Sequence, residues 1–196
     1  WVRIVRKLIF GYLFPEQRRM RMVGGLLRLY QTSGLRRLAH ATGVLKLLPK
    51  QLREMEAILP EASSQGVVET VGTIVPARGK TIARVGMFRG CLMDVLFTET
   101  NVNTVKLLAE AGFEVVIPDA QRCCGALHAH AGETESAKEL AKQNIRAFQE
   151  AEVDYVVSNA GGCGALLVEY GHLLRDDPEW ADAAASFATR VKDISQ

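Results

Sequence analysis

The sequence predicts an α/β fold: a parallel, three-layer βαβ-type sheet domain preceded by a small basic helical region. Three observations predict it. Short β-rich runs alternate with longer helical ones from about residue 81 onward, the residues before about 60 show helical spacing alone, and charge divides between the same two parts. Residues 1 to 59 hold 12 Lys/Arg against 3 Asp/Glu, and the remainder holds 12 against 19, so a net charge of +2 conceals about +9 followed by about −7. With 48% apolar and 23% charged residues, the chain has the balance of one that buries a core, not of a disordered one.

The first region, 1 to 59, reads as successive amphipathic helices broken at Pro15, at Ser33-Gly34 and near Pro49. In RRMRMVGGLLRLYQ the apolar Met22, Leu26, Leu29 and Tyr30 recur at helical spacing, while Arg18, Arg19, Arg21 and Arg28 occupy much of the remaining surface. Such short helices need something to pack on: the second region, a partner subunit, or an anionic membrane surface. A solvated basic face on an ordinary helical subdomain is the plainer alternative. Residues 60 to 80, PEASSQGVVETVGTIVPARGK, have the Ser, Gly and Pro content of a linker and set a domain boundary.

Residues 81 to 196 form the second domain. RVGMFRG (84 to 90), FEVVIP (113 to 118) and VDYVVSN (153 to 159) read as strands. A helix spans 92 to 112 and ends at Gly112; another spans 133 to 151 with its apolar side on Ala137, Leu140, Ala141, Ile145 and Phe148. GALLVEYGHLL and PEWADAAASFATRV supply two more. Strands joined by helices imply right-handed crossovers, and therefore a parallel sheet covered on both faces.

That topology locates the four cysteines. Cys91 follows the first strand, Cys123 and Cys124 follow the second, and Cys163 follows the third. In a parallel sheet these loops emerge at one edge, the carboxyl edge, where open α/β proteins place their ligands. A single apolar Cys is ordinarily a small buried hydrophobe. Four thiols at one edge are better read as a site, with Cys91 and Cys163 ahead of helix N-termini that stabilise negative charge and glycines flanking the sulfurs. Soft thiolates select zinc or iron-sulfur clusters over magnesium or calcium. The absence of a paired C-x2-C knuckle argues against a structural zinc site, and adjacent cysteines suit a cluster with several irons better than one tetrahedral ion. A third reading makes Cys123 or Cys124 a reactive thiol activated by His128 or His130, which leaves Cys91 and Cys163 without a task.

His128 and His130 in ALHAHAGE are read as loop residues that face the thiols as ligands, relays or hydrogen-bond donors, or as loop histidines without chemistry. His40 and His172 are read as surface or packing residues, and Asp94 as a first-turn charge. Nothing in the chain resembles a Ser-His-Asp set, a phosphate-binding loop or a dinucleotide fingerprint, and the basic region lacks the aromatic platform of a nucleic-acid binder. No run of about 18 apolar residues and no signal-peptide pattern is present. Adjacent cysteines make a strained disulfide pair, which favours a reducing compartment. The expected location is cytoplasmic, peripheral to the inner face of the membrane.

The set GC (90 to 91), QRCCGALHAHAGE (121 to 133) and NAGGCG (159 to 164) resembles the cysteine-rich CCG domain family, which includes heterodisulfide reductases and lactate-utilisation iron-sulfur proteins; the strongest resemblance is to glycolate oxidase iron-sulfur subunits. The resemblance covers residues 82 to 196 well and 1 to 59 more loosely. It implies an electron-transfer role: a flavin subunit oxidises glycolate, and iron-sulfur centres pass electrons towards a quinone, so this chain is not the substrate-oxidising part. Carried over by position, Cys91, Cys123, Cys124 and Cys163 would hold one cluster, 4Fe-4S in type; the alternative is a structural or interaction module of the same complex in which these cysteines hold zinc or no metal. Two departures stand out. Ala160 replaces the first cysteine of the C-x-x-C that ends the heterodisulfide reductase pattern, and no C-x2-C-x2-C-x3-C-P run precedes the domain. Since the chain opens on Trp1, it is expected to be a piece lacking a ferredoxin-like region and a second CCG domain.

Overall fold

In the computed structural model, which describes residues 2–196, the basic region is built of short helices. Helix α1 (Val2–Leu8) continues into a π-helical turn (Ile9–Leu13), and Pro15 separates this from α2 (Gln17–Thr32). Gly34, at φ +85°, admits α3 (Leu35–Thr42); a 3-10 turn (Val44–Leu47) and Pro49 then lead to α4 (Lys50–Ile58). The breaks fall where the sequence expects them, with one more at Gly43, which sits at φ +72°.

The packing of α2 inverts its amphipathicity. Its buried residues are Met20 and Gly24, and its polar side chains grip the body of the protein. Gln17 donates to Asp94 Oδ2 (3.0 Å), Arg21 to the Asp94 carbonyl (2.6 Å), Arg28 to the Ala62 carbonyl (2.8 Å) and Gln31 to the Pro60 carbonyl (2.9 Å). Met22, Val23, Leu26 and Leu29 point to solvent. The apolar stripe is therefore not what holds α2 on the second region.

The stretch 60 to 80 contains α5 (Val67–Val71) and β1 (Ile74–Val75), both too short to show a period in sequence. Then come β2 (Ala83–Phe88), α6 (Met93–Leu96), α7 (Thr98–Glu110) and β3 (Phe113–Val116). The single helix expected over 92 to 112 is broken at Phe97 (φ −132°, ψ 36°). The cause is local: the Asp94 carbonyl, which a continuous helix would give to the amide of Thr98, accepts from the Thr98 hydroxyl (2.8 Å) and from Arg21 (2.6 Å) instead. Gly112, at φ +93°, follows the end of α7 as expected.

The chain continues through α8 (Ala126–His130), α9 (Thr134–Glu150), β4 (Tyr155–Ser158), α10 (Gly161–Val168), α11 (Tyr170–Leu173), α12 (Ala181–Arg190) and β5 (Val191–Asp193). The strands form one sheet in the order β1-β3-β2-β4-β5. All neighbours are parallel except β1, which runs antiparallel along the edge of β3 with Ile74 opposite Val116. The edge strands β1 and β5 were not foreseen: two or three residues are too few for alternation to register.

Alternate residues of β2 serve opposite layers. Val85 and Met87 join Val102, Val105 and Leu108 of α7, while Phe88 joins Leu140, Ile145 and Phe148 of α9 and Phe187 of α12. Each of these buried side chains contributes roughly 1.5–3 kcal/mol of transfer free energy, less where a little surface remains. The chain leaves β2 for β3 on one side and then crosses to β4 on the other, so the sheet has its topological switch point at the carboxyl end of β2. No helix among the described residues is long and apolar enough to cross a membrane.

Candidate metal centre

The four cysteines gather at that switch point. Cys91 lies between β2 and α6, Cys123 and Cys124 lie between β3 and α8, and Cys163 lies in the first turn of α10 rather than in the loop before it. All four are free thiols; Cys91, Cys123 and Cys124 are buried and Cys163 is half-buried. The sulfurs of Cys91 and Cys123 are 3.5 Å apart, Cys123 adjoins Cys124, and Cys124 in turn takes a hydrogen bond from Cys163. The set is thus a group of four neighbouring sulfurs from three segments of the chain. Among the described residues, no three His, Cys, Asp or Glu side chains surround a common point as ligands of a single ion.

Two glycines make the approach of the loops feasible. Gly90 (φ +66°) turns the chain out of β2 in the left-handed region, with Met93 packed close behind it, where a Cβ would lie 3.3 Å from the Met93 Cβ. Gly125 (φ +89°) starts α8 directly after the cysteine pair, in a left-handed conformation that favours glycine.

The thiols are unequal. Hydrogen bonds from Cys123 and Cys163 bring Cys124 down to about 3, assisted by the amide of Ala126, which donates to Cys124 Sγ at 3.5 Å. The hydrogen bond with Cys123 lowers Cys91 as well. Cys123 and Cys163 go up, because each holds its proton against Cys124 and desolvation disfavours both thiolates. Four neighbouring thiols, with Cys124 strongly acidified, make a soft donor set inside an apolar core.

The peptide that carries Cys123 and Cys124 is held from behind. Asn144 of α9 donates through Nδ2 to the Cys123 carbonyl (3.0 Å) and to Tyr170 Oη (3.0 Å), and its Oδ1 accepts from the Arg122 amide (2.7 Å). Tyr170 of α11 donates to the Cys124 carbonyl at 2.7 Å. Both side chains are fully buried, and burial with the Cys124 charge raises the Tyr170 phenol well above its ordinary value. The sequence reading missed this pair. A signal existed for Asn144, which occupies the apolar stripe of α9 between Ala141 and Ile145, where a polar side chain needs a partner.

The histidines lie on the short helix α8, not in a loop. His128 is fully buried; its Nε2 meets the Phe10 carbonyl at 2.8 Å and its ring packs edge-on to Phe10 and Phe14. A carbonyl only accepts, so Nε2 carries the proton, and Nδ1 is left buried without a partner. This histidine bonds the basic region to the cysteine loop, and His130 is exposed. Asp94 stands in the first turn of α6 as expected, and it is buried there, accepting from the Val67 amide (2.7 Å) and from Gln17.

Comparison with known proteins gives this geometry its family. Residues 1–59 match the linker region of the glycolate oxidase iron-sulfur subunit, and residues 85–168 match the cysteine-rich domain. Over 193 residues the chain is 51% identical to the probable glycolate oxidase iron-sulfur subunit of Bacillus subtilis. The chain belongs to the glycolate oxidase iron-sulfur subunit family. The alignment takes in 98% of this chain but 44% of that relative, so the chain spans less than half the length of the curated protein it matches. Lactate utilization protein A of Geobacillus thermodenitrificans and of Geobacillus kaustophilus are each 42% identical over 113 residues, 58% of this chain and 46% of theirs. No solved structure matches the chain.

Proposed function

We propose that the chain is an electron-carrying iron-sulfur part of a glycolate-oxidising complex, with Cys91, Cys123, Cys124 and Cys163 as ligands of one 4Fe-4S cluster. The observation that carries this reading is the contiguous set of four free, largely buried thiols at the sheet's switch point. The donor set fits the group: soft sulfur ligands from three separate segments of the chain, with the Cys91 and Cys124 thiols both acidified by their neighbours, in apolar surroundings. When bound, such a cluster accepts and releases single electrons. The residues of this chain supply the thiolates, exclude water around them, and give Cys124 the Ala126 amide. The name of the Bacillus subtilis relative supports the same role.

In this reading a flavin-containing subunit oxidises glycolate and passes its electrons to the cluster, and a quinone is the acceptor beyond it. The location is cytoplasmic, at the inner face of the membrane. Asp94, Asn144 and Tyr170 are committed to structural hydrogen bonds and do no bond chemistry on glycolate.

Anaerobic reconstitution with iron and sulfide, followed by analysis of both elements, tests the reading. Iron and sulfide should be retained in equal amounts, about four of each per chain for a 4Fe-4S centre. Cys124→Ser and Cys163→Ser should each abolish most of that retention. Stoichiometric zinc without sulfide would replace the cluster by the zinc alternative.

A further inference from the structure

We infer that Asn144 and Tyr170 are positioning residues that fix the Cys123–Cys124 peptide for its bound group, an inference that rests on the iron-sulfur reading above. The pair is complete as a hydrogen-bonding device. Asn144 spends both amide protons, on the Cys123 carbonyl and on Tyr170 Oη, and its oxygen takes the Arg122 amide. Tyr170 gives its single proton to the Cys124 carbonyl. Neither side chain has exposed surface. Three consecutive residues, 122 to 124, are thereby gripped through their backbone by groups from two other elements.

Fold stability alone is a weak reason for such a device. A fully satisfied buried polar network is close to neutral against an apolar core of the same shape, whereas its directional bonds specify one geometry. Here the geometry specified is that of two adjacent ligand residues. With trans peptides on both sides of this pair, directing the Cys123 and Cys124 carbonyls at Asn144 and Tyr170 turns the amides of Cys124 and Gly125 the opposite way. The clamp therefore selects which side of the loop presents carbonyl oxygen and which presents amide hydrogen. Beside an anionic sulfur set, that choice decides whether the loop's dipoles oppose or support the bound charge.

The test uses the full chain, reconstituted anaerobically with iron and sulfide. Tyr170→Phe keeps the ring and removes the bond to the Cys124 carbonyl; Asn144→Asp keeps an acceptor for the Arg122 amide and loses the donors. Both should release iron to a chelator about tenfold faster than wild type or more, and both should change the paramagnetic resonance signature of the reduced protein. Phe148→Leu, a core substitution with no bond to the cysteine loop, controls for loss of stability. It should lower the urea midpoint yet keep the wild-type release rate and spectrum.

If Tyr170→Phe and Asn144→Asp match wild type in both readouts, or if Phe148→Leu reproduces their effects, the positioning role is overturned. Failure of the wild-type chain itself to retain iron and sulfide would instead overturn the underlying cluster reading.

Discussion

At the scale of single residues, Asp94 joins three parts of the chain: α2 through Gln17, the N-terminus of α5 through the Val67 amide, and its own α6. Burial holds its carboxyl above the ordinary 3.8, against the lowering effects of the Val67 amide, Arg89, Arg21 and Gln17. The folded protein therefore binds this proton more tightly than the unfolded chain does. The stability it contributes is complete below pH 3.8 and is lost as pH rises through the higher folded value. Asp94→Asn has no such step. Urea unfolding should show the advantage of wild type over Asp94→Asn greatest at the acid end and shrinking towards neutrality; an advantage that grew with pH would refute the assignment. The sequence alone marked Asp94 only as a first-turn charge, since its partners lie 27 and 77 positions away. The cysteines were legible for the opposite reason. Each follows a central strand before the next long helix begins, so local pattern plus one topological rule brought them together. The histidines were not, because the contact that occupies His128 comes from Phe10, 118 positions distant.

At the scale of elements, the three central strands and the long helix α9 could be read because they are buried on one or both faces over enough residues to show a pattern. Where the structure departs, side chains have taken over backbone duties, as at Phe97, or the element is two or three residues long, as in β1 and β5. Helix α2 departs furthest. Its sequence advertises an apolar stripe, but its seat on the protein is made by Gln17, Arg21, Arg28 and Gln31 around Gly24, which lies against Val95 of α6. A Cβ at position 24 would overlap the Val95 side chain. Gly24→Ala gains helix propensity of about 1 kcal/mol in principle. The overlap should outweigh it, lowering stability by about 1–3 kcal/mol, with Val95→Ala restoring part of the loss in the double variant. Chemical denaturation of the four proteins measures the coupling, and a stabilised Gly24→Ala would mean that α2 does not sit on α6 in solution.

At the scale of the molecule, the two regions differ in what they show to solvent. Leu26, Leu29, Leu35, Leu38, Leu47, Leu52, Met55 and Ile58 are all exposed, Leu47 and Ile58 to 85% and 80%, on a region that carries about nine positive charges. Scattered single apolar residues need no explanation, but this density on one basic subdomain does. Two copies meeting through this surface would bring like charges together, whereas an anionic bilayer supplies both the opposite charge and an apolar interior. The lipid reading of the basic region makes a quantitative demand. Arg18, Arg37, Lys46 and Arg53 are exposed, and each cation near an anionic surface is worth about 1 kcal/mol, or roughly fivefold in binding. Replacing all four with Gln should weaken co-flotation with vesicles containing phosphatidylglycerol by two orders of magnitude or more, on the order of 10²–10³-fold, and should leave weak binding to phosphatidylcholine alone little changed. Raised salt should mimic the substitutions, because Debye screening shortens to about 3 Å at 1 M. Replacing Leu26 and Leu29 with Ser should weaken binding at every salt concentration, since that term is area and not charge. Flotation indifferent to both sets of changes would remove lipid as the partner and leave protein contacts as the reading of the exposed apolar surface.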